Sequence, residues 1–230
     1  MRILLVISLF VCAGCYGQFG LVGQYETEGS FVVFSFDYEN SEMGDLEVDD
    51  GTYVYSGGIG LGMKGEHIIN PTGVDVVEAL AAENEIVYIT GHGGNGSVSL
   101  PDGNISPYGF RPADGEYDYN NRLEINSRFV IIAACLAGNA EWEIVLENNS
   151  GVDGVFGYTD TTYDIEDNKV SQGFVKCLSR AANDINVNEL TSSDYHNCWR
   201  EANEAVGGNF NSWVSIIRDP ITGETTRRPQ

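Results

Sequence analysis

The chain has 230 residues, which is enough for one α/β domain with a sizeable core and too few for two domains of typical size joined by a linker. Its 12 Lys and Arg residues against 34 Asp and Glu residues give a formal net charge of -22. Such a charge repels phosphate backbones, so we expect no nucleic-acid partner.

The N-terminus has the pattern of an export signal. Met1 and Arg2 precede an apolar run at 3–13, and small residues follow up to Gly17. The run is too short to span a bilayer, so we expect a signal peptide at 1–17, no transmembrane span, and a secreted, periplasmic or cell-surface protein. The alternative is a lipoprotein signal, in which Cys15 carries a lipid anchor.

The predicted elements begin with a β-rich run at 31–36, followed by an acidic, loop-like stretch up to Gly51. A capping-box pattern and the helical spacing of apolar residues predict a helix at 73–84. A buried strand at 85–90 follows it directly. Residues 97–127 contain many turn-forming residues, which predict a hairpin and long loops.

The second half of the chain continues the alternation of strands and helices. It predicts a strand at 129–133, a helix through 140–147, a strand at 154–158, helices at 172–182 and 192–206, and a last strand at 212–217. Because apolar runs are separated by helices, we expect an α/β fold with a mainly parallel sheet covered on both faces. We assign N-terminal strands and the acidic loop to 18–72, the core to 73–220 and a polar C-terminal tail to 221–230.

His92 and Cys135 occupy equivalent positions in this pattern. Each lies two residues beyond a buried apolar strand, after Thr90 and after Ala133. Parallel neighbouring strands are about 5 Å apart, so both side chains are expected at one edge of the sheet. A thiol next to an imidazole base is the pair that nucleophilic catalysis by cysteine requires.

The surroundings of the pair fit the same chemistry. His92 can take the thiol proton, and a helix starting near 140 can favour the thiolate through its dipole. The tetrahedral oxyanion of acyl transfer needs backbone N–H donors, and the amides of Gly93 and Cys135 are the candidates because glycine permits a close approach.

At these residues the chain resembles the clan CD cysteine peptidases, whose marks are an apolar strand ending in His-Gly and a second strand ending in Ala-Cys. Here the marks are His92-Gly93 and Ala134-Cys135, and the likeness spans 75–218, closest in character to the gingipain and CHAT branches. The resemblance implies a caspase-like three-layer sandwich that cleaves a peptide or protein substrate. It also implies that His92 is the acid/base, Cys135 the nucleophile and the Gly93 amide part of the oxyanion hole.

The resemblance also bears on specificity. Several clan CD families place an Asp two positions before the nucleophile, where it receives a basic side chain, whereas this chain has Ala133. A basic side chain buried against alanine gains no charge pairing. We therefore expect no Arg or Lys preference, unless Asp160 or Asp164 supplies the missing carboxylate.

Three cysteines remain after the signal peptide, an odd number in an exported protein. We expect Cys177 and Cys198 to form a disulfide and Cys135 to stay free; two buried free thiols are the alternative. His67 and His196 are expected to be structural or surface residues. No zinc-binding spacing occurs in the mature chain, so we expect no metal and no cofactor.

Two other functions fit the same residues. One is a catalytically inactive, secreted interaction module of the same fold, because fold does not guarantee activity. The other is a thioester-forming acyl transferase, in which an amine instead of water captures the intermediate.

Overall fold

A computed structural model describes residues 29–36, 50–94, 96–113, 115, 123–183, 185–206 and 212–228. The expected signal peptide, with Cys15, lies outside the described residues. So does most of the acidic stretch that precedes Gly51.

A seven-stranded sheet forms the centre of the fold. Its strands are β1 (Ser30–Ser35), β2 (Lys64–Ile69), β3 (Ile86–Thr90), β8 (Phe129–Ala133), β9 (Gly154–Tyr158), β10 (Trp213–Arg218) and β11 (Thr225–Arg228). Their spatial order is β11-β10-β9-β8-β3-β1-β2. The five strands β2, β1, β3, β8 and β9 pair in parallel with their neighbours in the sheet. Strands β10 and β11 are antiparallel and form one edge. The expected α/β class with a mainly parallel sheet is confirmed.

Helices cover both faces of this sheet, and each face has its own apolar core. The first face carries α1 (Asp50–Gly60), α4 (Asp164–Ala181) and α5 (Ser192–Val206), and the second carries α2 (Gly73–Ala81) and α3 (Glu143–Asn148). Neighbouring strand residues alternate between the two: Tyr88 belongs to the first core and Val87 to the second. Every residue of β3, β8 and β9 is buried, because both sides of these strands face helices.

A small antiparallel sheet forms the region predicted as a hairpin and long loops. It consists of β4 (Gly93–Gly94), β5 (Ser97–Leu100), β6 (Gly103–Ser106) and β7 (Gly109–Pro112), in that order. Val98, Leu100 and Ile105 point into the second core, so the sheet is anchored through alternate residues. Since β4 starts at the residue after His92, the small sheet continues directly from the candidate site.

The helices of the first face differ most from the prediction. Helix α1 begins at Asp50, inside the stretch predicted to be a loop, and its glycines hide it from propensity arguments. A Cβ at Gly58 would lie 2.4 Å from Cζ of Phe31, so the glycine is required where α1 packs on β1. Helix α4 begins at Asp164 instead of 172, because its first turns bury polar residues such as Asp167 and Ser171 and show no apolar period.

Three further boundaries need correction. The helix predicted at 73–84 ends at Ala81. The helix predicted at 140–147 is a 3₁₀ turn at Ala137–Asn139 followed by α3. The segment 221–230, assigned to a polar tail, contains β11, which pairs with β10 through main-chain hydrogen bonds and therefore needs no apolar pattern.

Cys177 of α4 and Cys198 of α5 form a disulfide with an S–S distance of 2.06 Å and a Cα–Cα distance of 5.3 Å. Cys135 is the free cysteine among the described residues. None of the helices in the described ranges is long and apolar enough to cross a membrane.

Candidate active site

The ends of β3 and β8 bring His92 and Cys135 together. Thr90 and Ala133 are register partners in the sheet, and the amide of Gly91 donates to the carbonyl of Ala133 at 3.2 Å. Two residues beyond these register partners, His92 and Cys135 line the same cavity of about 210 Å³. The position is the carboxyl edge of a parallel sheet, where such folds bind their ligands.

The Cys135 thiol is held by the main chain of Thr162. The amide of Thr162 donates to Sγ at 3.2 Å, and Sγ donates to the carbonyl of Thr162 at 3.4 Å. The first of these hydrogen bonds stabilises negative charge on sulfur. Cys135 is half-buried, so it remains accessible from the cavity.

A left-handed residue follows the thiol directly. Leu136 has φ 58, a conformation that side chains other than glycine adopt at a cost of about 1–3 kcal/mol. Two main-chain hydrogen bonds stabilise it: its amide donates to Asp160 at 3.1 Å, and its carbonyl accepts from Gly96 at 3.2 Å. At this sharp turn the main chain changes direction after β8, and Cys135 is left at the wall of the cavity.

Gly93 lies directly against the main chain of Cys135. A Cβ at Gly93 would lie 2.3 Å from the carbonyl oxygen and 3.1 Å from the amide nitrogen of Cys135. Real Cβ atoms essentially never approach so closely, so glycine alone fits there. The two amides assigned to the oxyanion hole thus belong to adjoining stretches of main chain.

The helix dipole expected behind Cys135 is absent from this position. The chain after Cys135 forms a 3₁₀ turn, and α3 begins only at Glu143 and is six residues long. Gly138 keeps this turn close to the sheet, since a Cβ there would lie 2.6 Å from Cγ1 of Val214. The polarising group next to sulfur is therefore the amide of Thr162, not a helix terminus.

Arg227 of β11 secures the segment behind the thiol, and the sequence offered no motif that identifies it. Its guanidinium donates to the carbonyls of Gly138 at 2.9 Å and Ala140 at 2.8 Å, and it forms a bidentate ion pair with Glu143. That ion pair holds the pKa of the Glu143 carboxyl below its usual range. The strand predicted to be a tail thus stabilises the turn that follows Cys135.

Of the three residues expected in the specificity pocket, two line the cavity. Ala133 and Asp164 do, whereas Asp160 is exposed outside it and accepts the amide of Thr161 at 2.8 Å. The structure adds two carboxyls that the sequence reasoning missed, Asp50 and Asp167. Both lie in helical stretches without apolar period, so no pattern in the chain connects them with the site.

Asp50 is 2% exposed and accepts hydrogen bonds from three hydroxyls. Thr90 Oγ1 donates to Oδ1 at 2.6 Å, while Tyr88 and Ser171 (the latter at 3.2 Å) donate to Oδ2. Hydrogen bonds of this kind stabilise negative charge on a buried carboxylate.

Asp167 is 8% exposed and belongs to the same network. Tyr158 donates to its Oδ1, and its side chain is also hydrogen-bonded to that of Asp50. Burial, and then the negative charge of Asp50, raise the pKa of the Asp167 carboxyl well above its usual range. The two carboxyls are therefore a coupled pair, in which Asp167 keeps its proton at a higher pH than an exposed aspartate.

The other two histidines lie away from the cavity. His67 Nε2 is 2.8 Å from Ser35 Oγ, and its ring stacks on Tyr55. His196 is buried, with Nδ1 2.6 Å from Ser215 Oγ, and burial lowers its pKa. Within the described ranges no group of three or more His, Cys, Asp or Glu side chains is arranged to hold a metal ion.

The central parallel sheet, the helices on both faces and the antiparallel edge strands define a caspase/gingipain-like fold. A crystal structure of the Arg-specific cysteine proteinase gingipain R aligns with a TM-score of 0.52 at 12% identity, over 83% of this chain and 46% of that chain. A complex of the RgpB pro- and mature domains from Porphyromonas gingivalis gives a TM-score of 0.48 at 8% identity, over 82% and 47%. The chain thus spans about half the length of the gingipain chain. No family model and no curated protein matches it.

Proposed function

We propose that the protein is an exported cysteine peptidase, with Cys135 as nucleophile and His92 as general acid and base. The observation that carries the proposal is the shared cavity at the carboxyl edge of the sheet, lined by both residues. The fold supports it, since the likeness to gingipain R is a likeness to a cysteine proteinase. Cys177 and Cys198 form a disulfide while Cys135 is free. This combination fits a cysteine nucleophile in an oxidising compartment.

The reaction follows from these positions. His92 takes the Sγ proton as sulfur attacks the carbonyl carbon of the scissile bond, and the amides of Gly93 and Cys135 stabilise the oxyanion. His92 then protonates the leaving amine, which leaves a thioester on Cys135. A water molecule, deprotonated by His92, attacks that thioester, and the released sulfur takes back the proton.

The substrate is a peptide or protein, and the protein acts outside the cytoplasm. Export rests on the signal pattern at 1–17, with a lipid anchor on Cys15 as the alternative form. The net charge of -22 argues against nucleic acid as a partner.

The test is covalent labelling of the purified protein with a peptidyl acyl-ketone probe, followed by mass mapping. We expect labelling at Cys135 alone, with loss of labelling in His92→Ala and in Cys135→Ala. His67→Ala is the matched control, because that histidine lies away from the cavity. Absence of labelling in the folded protein would support the inactive interaction module, and capture of the acyl group by added amines in preference to water would support the transferase.

A further inference from the structure

His196 is a buried histidine whose two ring nitrogens have different surroundings. The residue is 5% exposed, its Nδ1 lies 2.6 Å from Ser215 Oγ, and its ring centroid lies 6.1 Å from that of Trp213. Nε2 has no hydrogen-bond partner among the described residues, and it is not one of the fully enclosed polar atoms that lack a partner. A histidine that the fold fixes through one nitrogen therefore presents the other nitrogen to the surface.

Two exposed arginines approach this histidine from different elements. Arg200 lies one helical turn after His196 on α5, and residues four apart share one side of a helix. Arg228 on β11 is the register partner of Ser215 on β10, the residue that His196 contacts. Register partners share a face of the sheet, so Arg228 belongs to the face that α5 covers.

The residue before Arg228 gives the same direction independently. Arg227 pairs with Glu143 of α3, which lies on the second face of the sheet. Successive residues of a strand point to opposite faces, so Arg228 points to the first face. The charges of both arginines act on the imidazole there: burial, and then the charges of Arg228 and Arg200, lower the pKa of His196.

Arg200 and Arg228 have no hydrogen bond or ion pair with any of the described residues. The other arginines of the described ranges each bind a carboxylate or a main-chain carbonyl: Arg111, Arg128, Arg180, Arg218 and Arg227. The chain has 34 Asp and Glu residues that could serve as partners. Two unpaired positive charges next to one histidine repel each other, so an anion bound between them would stabilise the arrangement.

The donors at this position define the kind of anion. Two guanidinium forks and one ring N–H match an ion with several acceptor oxygens, such as the tetrahedral sulfate or phosphate group. The net charge of -22 repels long polyanions, whereas screening beyond about 10 Å at 0.1 M salt lets a small anion respond mainly to the nearby arginines. A single small oxyanion group therefore fits better than a charged polymer.

We propose that His196, Arg200 and Arg228 form a binding site for one sulfate or phosphate group, at the edge of the sheet where α5 meets β11. None of the three residues lines the cavity of His92 and Cys135. The site therefore goes beyond the peptidase function and does not depend on it.

The site should respond to pH through His196. The charged groups around its ring are Arg200 and its helical neighbour Glu204 on α5, Arg228 on β11, and Asp219 after β10. Main-chain hydrogen bonds first, and the charge of Arg228 last, lower the pKa of Asp219. A bound dianion favours the imidazolium, so it raises the pKa of His196. Affinity is then highest below the pKa of the free histidine and falls as pH rises through the higher pKa of the bound state.

The experiment is a titration of the purified protein with sodium sulfate, followed by NMR of the histidine rings, with sodium chloride at matched ionic strength as reference. Sulfate keeps its charge between about pH 5 and pH 8, so any pH dependence in this range belongs to the protein. We expect saturable shifts of the His196 ring signals with sulfate alone, an upward shift of the pKa of His196, and tighter binding at the acidic end.

The variants Arg200→Gln and Arg228→Gln should each weaken sulfate binding by about tenfold, because each removes a charge-assisted hydrogen-bond donor. Both side chains are exposed, so the fold should be kept, which thermal unfolding checks. Arg111→Gln is the matched control: it removes the same charge from an exposed position on β7 and should leave binding unchanged.

Inorganic phosphate and methyl phosphate, titrated in the same way, distinguish a free ion from a group carried on a larger molecule. Tighter binding of the inorganic ion assigns the site to the free ion, and tighter binding of the ester assigns it to a carried group. Shifts that chloride reproduces, binding that both arginine variants retain, or affinity that does not change with pH would overturn the proposal. These readouts do not involve Cys135, so a failed labelling experiment would reject the peptidase function and leave this site standing.

Discussion

Gly93 and Cys135 touch through their main chains: a Cβ on Gly93 would lie 2.3 Å from the carbonyl oxygen of Cys135. The contact joins the end of β3, through His92, to the end of β8. It keeps the imidazole-bearing segment and the thiol-bearing segment at a fixed separation, which any catalytic pair needs.

Gly93→Ala should therefore damage the site. The added methyl must displace main chain, not a flexible side chain, and this displaces an expected oxyanion donor, worth about 10²–10³ in kcat. Gly94→Ala is the matched control, because a Cβ there meets nothing within 4 Å. Peptidase or probe-labelling rates, measured together with thermal unfolding, check the prediction. Equal rates for the two variants would mean that the Gly93 contact has no catalytic importance.

Arg227→Ala should loosen the turn behind the thiol. The change removes hydrogen bonds to the carbonyls of Gly138 and Ala140 and the ion pair with Glu143, so we expect a loss of about 1–3 kcal/mol in the free energy of unfolding and slower labelling of Cys135. Arg228→Ala, at the exposed next position, is the control for the lost charge. If labelling slows equally in both variants, the lost positive charge is responsible and not the hydrogen bonds and ion pair of Arg227.

Asp167→Asn should stabilise the protein increasingly as the pH rises. The folded-state pKa of Asp167 is raised, so its contribution to stability is fully present below the unfolded value of about 3.9 and is lost as pH rises through the folded value. Asparagine does not titrate, and each unit of pKa shift corresponds to about 1.4 kcal/mol. Urea unfolding of parent and variant at a series of pH values gives the difference. A difference that is constant with pH would contradict the buried, coupled state of this carboxyl.

Replacing both Cys177 and Cys198 by Ser should lower stability without removing reactivity at Cys135. The two residues are 21 positions apart, and closing a loop of that size contributes about 3 kcal/mol. The bridge joins α4 to α5, and α4 also supplies Asp164 and Asp167 to the cavity. Mass mapping without reduction tests the pairing directly. A bridge that involves Cys135 would exclude it as the resting nucleophile.

The sequence by itself was sufficient for the centre of the sheet and for the neighbourhood of His92 and Cys135. Strands buried on both faces are continuous apolar runs, and a chain that leaves such a strand must do so at the carboxyl edge. The parallel pairing of Thr90 with Ala133 then brings His92 and Cys135, each two residues further on, to the same cavity. The local sequence pattern is enough here because burial on both faces requires an unbroken apolar run. The end of that run also marks the end of the strand.

Only the tertiary structure decided the character of the cavity. Asp50, Asp167 and Arg227 lie in an acidic stretch, a polar helical turn and a presumed tail, and each is distant in sequence from His92 and Cys135. Their roles arise from packing: α1 and α4 bury their first turns against the sheet beneath the cavity, and β11 adds to its edge. A buried polar residue follows no hydrophobic period, since its position is set by hydrogen bonds to partners elsewhere in the chain and not by an apolar face of its own element.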